Sequence, residues 1–296
     1  MTTPASGVDW GAQALEHELA ADLPGLQVQV RASVDSTNTR LLELCRAFDG
    51  AQFEPVLLVA ENQTAGRGRL GRAWHATPAA SLTFSLALPL QYAQLGGLSL
   101  AVGVVLAEAL DAPCAAVPRL LLKWPNDLWL RGAPGDAHVI GRKLGGVLIE
   151  TVSCAAQRIG VIGIGLNVLP LAVPDPSSGV AWLQEIHPQL SAPQALHRLA
   201  RPLVRALRRF EREGFAAFEE RFAGRDLLFG HDVVTGALHG VAQGVASNGA
   251  LRLRCGVGPQ ALLHEIVSGE VSVRLHAVPR EELHSGHAAA APHTPC

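Results

Sequence analysis

The sequence lacks an excess of either charge: 24 lysines and arginines stand against 26 aspartates and glutamates, a formal net charge of −2. A protein that coats DNA or RNA needs a basic surface, so any nucleic-acid contact here would have to be local. There is no stretch of about eighteen uninterrupted apolar residues, which removes a membrane span. The opening MTTPASGVDWGAQALEHELAADL has acidic residues but neither a basic leader nor an apolar core, so it is no secretory signal. The five cysteines (Cys45, Cys114, Cys154, Cys255, Cys296) are odd in number and dispersed, with no Cys-x-x-Cys pair. A reduced, cytoplasmic enzyme without a disulfide framework or structural zinc is the expectation. His284, His287 and His293 near the end show no metal-ligand spacing either.

What is present can fill a core. With 48% hydrophobic and 17% charged residues, 296 residues fit one large domain with a small appendage, or two ordinary domains. A short helix is expected over Trp10–Leu23 and a strand over Gln27–Val30. Asp35-Ser36-Thr37-Asn38 then leads into Leu41, Leu44, Cys45 and Phe48 on one helical face; its side chains suit either a helix cap or a ligand. Pro55–Ala60 reads as a buried strand. It delivers Glu61–Trp74, ENQTAGRGRLGRAW, where Arg67, Arg69 and Arg72 alternate with Gly66, Gly68 and Gly71. Glycine permits close backbone approach and each guanidinium forks onto carboxylate or phosphate oxygens, so this is a loop for holding anions. The same composition also serves RNA-binding segments and plain solvated loops. With few apolar anchors, Gly66–Gly71 is expected to be mobile until a ligand orders it.

Ser81–Leu88 alternates as a strand and Leu98–Leu110 reads as a buried helix, both scaffold. Leu120–Leu130, LLLKWPNDLWL, is an apolar strand with a proline and an Asn-Asp pair inside it, which predicts a bend carrying Lys123 and Asp127. Arg131–Arg142 reads as an extended hairpin tip without assigned chemistry. Lys143–Glu150 and Arg158–Val168 are strands thinned by Gly145, Gly146, Gly160, Gly163 and Gly165, which fits a groove for a flat ligand or tight packing. After a proline-rich loop at 170–179, Ser191–Phe222 is helical with Leu196, Leu199, Leu203, Leu207 and Phe210 in phase. Pro202 inside that pattern predicts a kink or two abutting helices, and its arginines form a solvated face. From Asp226 the texture changes to five short strands, Asp232–Thr235, Gly240–Ala246, Leu251–Cys255, Leu262–Val267 and Val271–Leu275, with Ser247-Asn248-Gly249 as a hairpin signal.

Ser36-Thr37-Asn38, the Gly-Arg loop, Lys123-Trp124-Pro125-Asn126-Asp127, Lys143-Leu144-Gly145-Gly146 and Gly163-Ile164-Gly165-Leu166-Asn167, in that order, resemble the biotin protein ligases over about residues 33–168, with a weaker echo at 230–274. The resemblance implies an α+β fold: a mixed sheet with flanking helices, of the class II synthetase and biotin ligase kind, over residues 1–225, a small SH3-like β-barrel over 226–276, and a disordered tail over 277–296. It implies activation of biotin as biotinyl-5′-AMP with ATP and Mg²⁺, then transfer to a lysine of a carboxylase's biotin-acceptor domain such as biotin carboxyl carrier protein. Catalytic roles would fall to Lys143, Arg69 and Lys123. Biotin would meet Ser36, Thr37, Asn38, Gln63, Arg67, Gly68, Lys143, Gly145 and Gly146. ATP would meet Arg69, Trp74, Asn126, Asp127, Asn167 and Arg274, with Mg²⁺ carried on ATP near Asp127. Only about thirty residues precede the Ser-Thr-Asn segment, too few for the helix-turn-helix of repressor relatives, so no DNA partner is expected; a homodimer stays open. A lipoate or octanoate ligase, a nucleic-acid-binding module and a non-catalytic biotin sensor are the alternatives.

Overall fold

The structure, a computed structural model, describes residues 8–50, 52–91, 94–111, 117–132, 140–154, 157–170 and 179–273. Arg274, the tail 277–296 and most of the 131–142 tip and the 170–179 loop lie outside these residues. Seven strands form the main sheet: β1 (Gln27–Arg31), β2 (Val56–Ala60), β3 (Ser81–Pro89), β4 (Leu120–Lys123), β5 (Asp127–Arg131), β6 (Gly141–Cys154) and β7 (Gln157–Asn167). Their order across the sheet is β1-β2-β3-β7-β6-β5-β4. Only β1 and β2 run parallel; the rest pair antiparallel.

The period of two along β3 sorts the faces of this sheet. Leu82, Phe84, Leu86 and Leu88 join Leu57, Val59, Ile162 and Ile164 in the large core beneath α1 (Ala12–Leu19), α3 (Leu98–Leu110) and α4 (Ala192–Glu213). On the other face Ala87, Val56, Leu58 and Val161 pack under α2 (Thr37–Ala47) through Leu41, Leu42 and Cys45. That second face continues past the start of α2 as Ser85, Thr83 and glycines, and there it holds the cavity.

Helix α4 corrects one expectation. It runs unbroken through Pro202, and the chain breaks instead at Gly214, whose φ is +66°. Leu196, Leu199, Leu203, Leu207 and Phe210 are all buried, so core packing of one face outweighs the local defect of a proline. After Gly214 come a 3₁₀ turn at Phe215–Phe218 and α5 (Glu219–Ala223). The arginines of α4 pair with acids, Arg205 with Asp22 and Arg209 with Glu213.

The carboxyl-terminal part is a five-stranded antiparallel sheet ordered β11-β10-β9-β8-β12, built from β8 (Asp232–Thr235), β9 (Leu238–Val245), β10 (Leu251–Cys255), β11 (Leu262–Ile266) and β12 (Ser272–Val273). Two features seat it on the larger sheet. The indole Nε1 of Trp124 donates to the Gly249 carbonyl at 3.0 Å. Gly249 takes φ +81°, and a Cβ there would lie 2.3 Å from the Gly97 Cα, so the hairpin tip approaches as only glycine allows.

Candidate active site

A cavity of about 680 Å³ opens between the polar face of the main sheet, the Gly-Arg loop and the closing segment of the small sheet. That is within the range of small-molecule sites. Cross-strand register explains its shape. Ser85, Gly163 and Leu148 form one row across β3, β7 and β6, and Thr83, Gly165, Gly146 and Asp127 form the next row on that face. The two β7 glycines make room for site side chains, one of them on the first turn of α2. A Cβ at Gly163 would lie 2.2 Å from Asn38 Oδ1, and one at Gly165 would lie 2.6 Å from the Trp74 ring.

At one end of the cavity stand Thr37, Asn38, Gln63 and Arg67. The amino terminus of α2 is capped by Ser36, whose Oγ accepts from the Thr39 N–H at 3.4 Å, so the capping role is filled by the first of the three residues. The next two turn inward. Gln63 Oε1 accepts from the Thr37 backbone N–H at 2.8 Å, and Asn38 Nδ2 donates to Glu150 Oε2 at 2.9 Å. Arg67 Nη2 lies 3.2 Å from Glu150 Oε1.

The Gly-Arg loop has few apolar anchors, as its sequence suggests, and Leu70 is 75% exposed. It does have polar ones. Gly68 N–H donates to the Arg72 carbonyl at 2.7 Å and Trp74 N–H to the Gly66 carbonyl at 2.8 Å, closing a narrow hairpin. Arg72 pairs with Glu270, and Arg69 reaches the Gly269 carbonyl at 3.4 Å, tying the loop to the small sheet.

The other end is cationic. Lys123 and Asp127 face each other where β4 turns into β5. Lys143 Nζ lies 2.9 Å from Asp127 Oδ1, while Lys123 Nζ sits 4.9 Å above the Trp129 ring. Burial lowers the proton affinity of Lys123; Asp127 opposes that shift and Lys143 adds to it. Burial likewise lowers that of Arg69, against Asp127 and Glu270. Asn126 holds the turn to β6 through its Nδ2, 2.8 Å from the Val147 carbonyl. Trp74 Nε1 is buried with no hydrogen-bond partner.

Of the residues expected from sequence, Ser36, Thr37, Asn38, Gln63, Arg67, Gly68, Arg69, Trp74, Lys123, Asn126, Asp127, Lys143 and Gly146 all line this cavity. Two do not come to it. Gly145 points the other way: a Cβ there would lie 2.3 Å from the Gly165 carbonyl oxygen. Asn167 is 3% exposed and donates to the Ala181 carbonyl, away from the cavity. Arg274 lies outside the described residues. Ser85, Glu150 and Glu270 also belong to the site and lie outside its sequence motifs, though Ser81, Thr83 and Ser85 stand at alternate positions of an otherwise apolar strand, which marks a polar face.

Residues 30–167 match the biotin/lipoate A/B protein ligase family, and residues 231–274 the biotin protein ligase C-terminal domain. The chain is 31% identical over 266 residues to the bifunctional ligase/repressor BirA of Escherichia coli, covering 87% of this chain and 77% of that protein. The chain belongs to the biotin protein ligase family. It is also 43% identical over 149 residues to the biotin–[acetyl-CoA-carboxylase] ligase of Mycobacterium tuberculosis, 48% of this chain and 49% of that one. Among solved structures, the biotin protein ligase of Aquifex aeolicus in complex with biotin and ATP superposes with a TM-score of 0.65 at 28% identity, covering 85% of this chain and 99% of that one. The mixed sheet with flanking helices and the small antiparallel sheet are thus the fold of a biotin ligase. Among the described residues no helix is long and apolar enough to cross a membrane, and no group of three or more His, Cys, Asp or Glu could hold a metal ion.

Proposed function

We propose that this chain joins biotin to ATP as biotinyl-5′-AMP, releasing pyrophosphate, and then transfers the biotinyl group to one lysine of a carboxylase's biotin-acceptor domain, releasing AMP. The observation that carries this reading is the single cavity that gathers a polar pocket (Thr37, Asn38, Gln63) at one end and Arg69, Lys123 and Lys143 at the other. Residues 1–225 would supply the catalytic part, and 226–276 would close it through Glu270 and its neighbours.

In the first step a biotin carboxylate oxygen bonds to the α-phosphorus as the bond to pyrophosphate breaks. Two anions must approach and charge spreads over the phosphate, so fixed cations matter more than a side-chain nucleophile. Lys143, held by Asp127, faces the biotin carboxylate and α-phosphate, and Arg69, anchored on Gly269, retains the adenylate. The Trp74 ring, seated on Gly165, walls the adenine site, and Asn126 fixes the turn on which Lys123 and Asp127 stand. In the second step the acceptor lysine's neutral amine attacks the acyl carbon and AMP leaves with the bonding pair. Lys123, opposite Asp127 and over the Trp129 ring, is placed to stabilise the reacting phosphate or assist the incoming amine. With Asp127 engaged by Lys143, the side chains form no cage for Mg²⁺; the ion would arrive on the ATP phosphates, with Asp127 at most one ligand.

The test is transfer. Purified chain, labelled biotin, ATP, Mg²⁺ and an acceptor domain should give label on a single lysine, lost when that lysine becomes arginine. Absence of label on the acceptor, with both substrates bound, would reject the reading.

A further inference from the structure

Beneath Thr37 and Asn38 lies Ser85, fully buried on β3. Its Oγ is 2.6 Å from Asn38 Oδ1 and 2.7 Å from Thr37 Oγ1, and Thr37 Oγ1 is in turn 3.1 Å from Gln63 Oε1. Four oxygens therefore stand in line: Asn38 Oδ1, Ser85 Oγ, Thr37 Oγ1, Gln63 Oε1.

Both amides at the ends of this line have fixed orientation. The Leu148 carbonyl and the Glu150 carboxylate can only accept, so Asn38 must turn Nδ2 to them, at 3.3 Å and 2.9 Å, and its Oδ1 to Ser85. The Thr37 backbone N–H can only donate, so Gln63 must turn Oε1 to it. Between the two amide oxygens there are three oxygen–oxygen contacts but only two hydroxyl hydrogens, those of Ser85 and Thr37. Ser85 can donate to Asn38 or to Thr37, and Thr37 to Ser85 or to Gln63. In every arrangement at least one contact is left with two acceptors and no hydrogen, and with Ser85 turned to Asn38 and Thr37 to Ser85 that contact is Thr37–Gln63, at the cavity. At this burial such a contact is unfavourable, and a ligand N–H arriving from the cavity relieves it.

We propose that Ser85, with Glu150 and the Leu148 carbonyl behind Asn38, is a positioning residue that makes the pocket floor one hydrogen short, so that Thr37 and Gln63 face the ligand as acceptors and select an acid whose far end carries N–H donors, as a cyclic urea does, over acyl acids that carry none. This rests on biotin being the acid bound. It supplies a physical reason for preferring biotin to lipoate or octanoate on a scaffold shared with their ligases.

The test compares binding of biotin with that of the two biotins methylated singly on a ureido nitrogen, by calorimetry, in the natural chain and in Ser85→Ala. Removing the Ser85 hydroxyl leaves Thr37 free to donate to Gln63, so the Thr37–Gln63 contact no longer lacks a hydrogen, while Asn38 Oδ1 loses its donor on the far side from the ligand. The preference for biotin over the methylated analogue that has lost the relevant donor should fall by about fivefold or more, the low end of the range for a buried, unrelieved contact. Steric interference from the methyl group is common to both proteins and cancels in the ratio. KM for ATP and kcat at saturating biotin should stay put, and Ser85→Thr should restore the ratio; a merely structural role predicts neither. Should Ser85→Ala not fold, Ser85→Cys keeps the size with a weak donor and reads the same ratio. An unchanged ratio with normal biotin binding overturns the proposal alone; failure of the natural chain to bind biotin overturns the ligase reading with it.

Discussion

Asp226 stands where the chain leaves the main sheet for the small one, its backbone bridged to Leu122. Leu228 N–H donates to its Oδ1 at 2.8 Å, while Oδ2 is buried with no hydrogen-bond partner. Burial pushes its carboxyl from 3.8 up to about 6, against the backbone hydrogen bonds from Leu228 and Phe229. A raised carboxyl pKa means that between those two values the folded chain keeps a proton that the unfolded chain has released. Stability therefore falls as pH rises through the window, and the loss is complete a little above it. A shift of about two units corresponds to about 3 kcal/mol. Asp226→Asn keeps the Oδ1 acceptor, and its amide hydrogens are no worse placed than the acid's proton. The variant should match the natural chain near pH 4 and exceed its stability by up to about 3 kcal/mol at pH 8. Urea unfolding midpoints at pH 5 and pH 8 check this, with the gap between the two proteins widening at the higher pH. A gap that does not change with pH would refute the reasoning.

Gly163→Ala places a Cβ 2.2 Å from Asn38 Oδ1, so Asn38 must shift; KM for biotin should rise about tenfold or more with KM for ATP little changed, read by initial rates. Arg69→Ala should release free biotinyl-adenylate and label lysines indiscriminately, seen by mapping biotinylated sites on a bystander protein; retained acceptor selectivity would count against Arg69 as the retaining cation. Amides of Gly66–Gly71 should gain protection from hydrogen exchange when biotin and ATP are added, since Leu70 is exposed and the loop rests on polar contacts alone; equal protection would show the loop ordered beforehand.

Much of the site was legible because its chemistry sits in short, spaced motifs on strand ends and tight turns. The Gly-Arg loop, the turn at Lys123–Asp127 and the strand opening at Lys143 reach one cavity because the register sets Ala60, Thr83, Gly165, Gly146 and Asp127 in one row across β2, β3, β7, β6 and β5. Asn167 belongs to such a motif, and alternation puts it on the same face as Gly163 and Gly165, yet at the end of β7 its side chain donates to the Ala181 carbonyl instead of lining the cavity. Gly145 and Gly146 are indistinguishable by type, and only the pleat assigns one to the cavity and the other to β7. Pro202 shows the limit of local rules, as α4 keeps its phase through it because five apolar side chains are buried on one face. Ser85 is not legible as a site residue because its partners, Thr37 and Asn38, are 48 and 47 positions away in sequence.

Pyrophosphate exchange into ATP, with Mg²⁺ and no acceptor protein, tests the central claim most directly when biotin is compared with lipoate and octanoate. Exchange that depends on biotin alone is the predicted result. Exchange driven by lipoate or octanoate would keep the scaffold and overturn the substrate, and no exchange with any of the three by a folded chain would contradict the adenylation step itself.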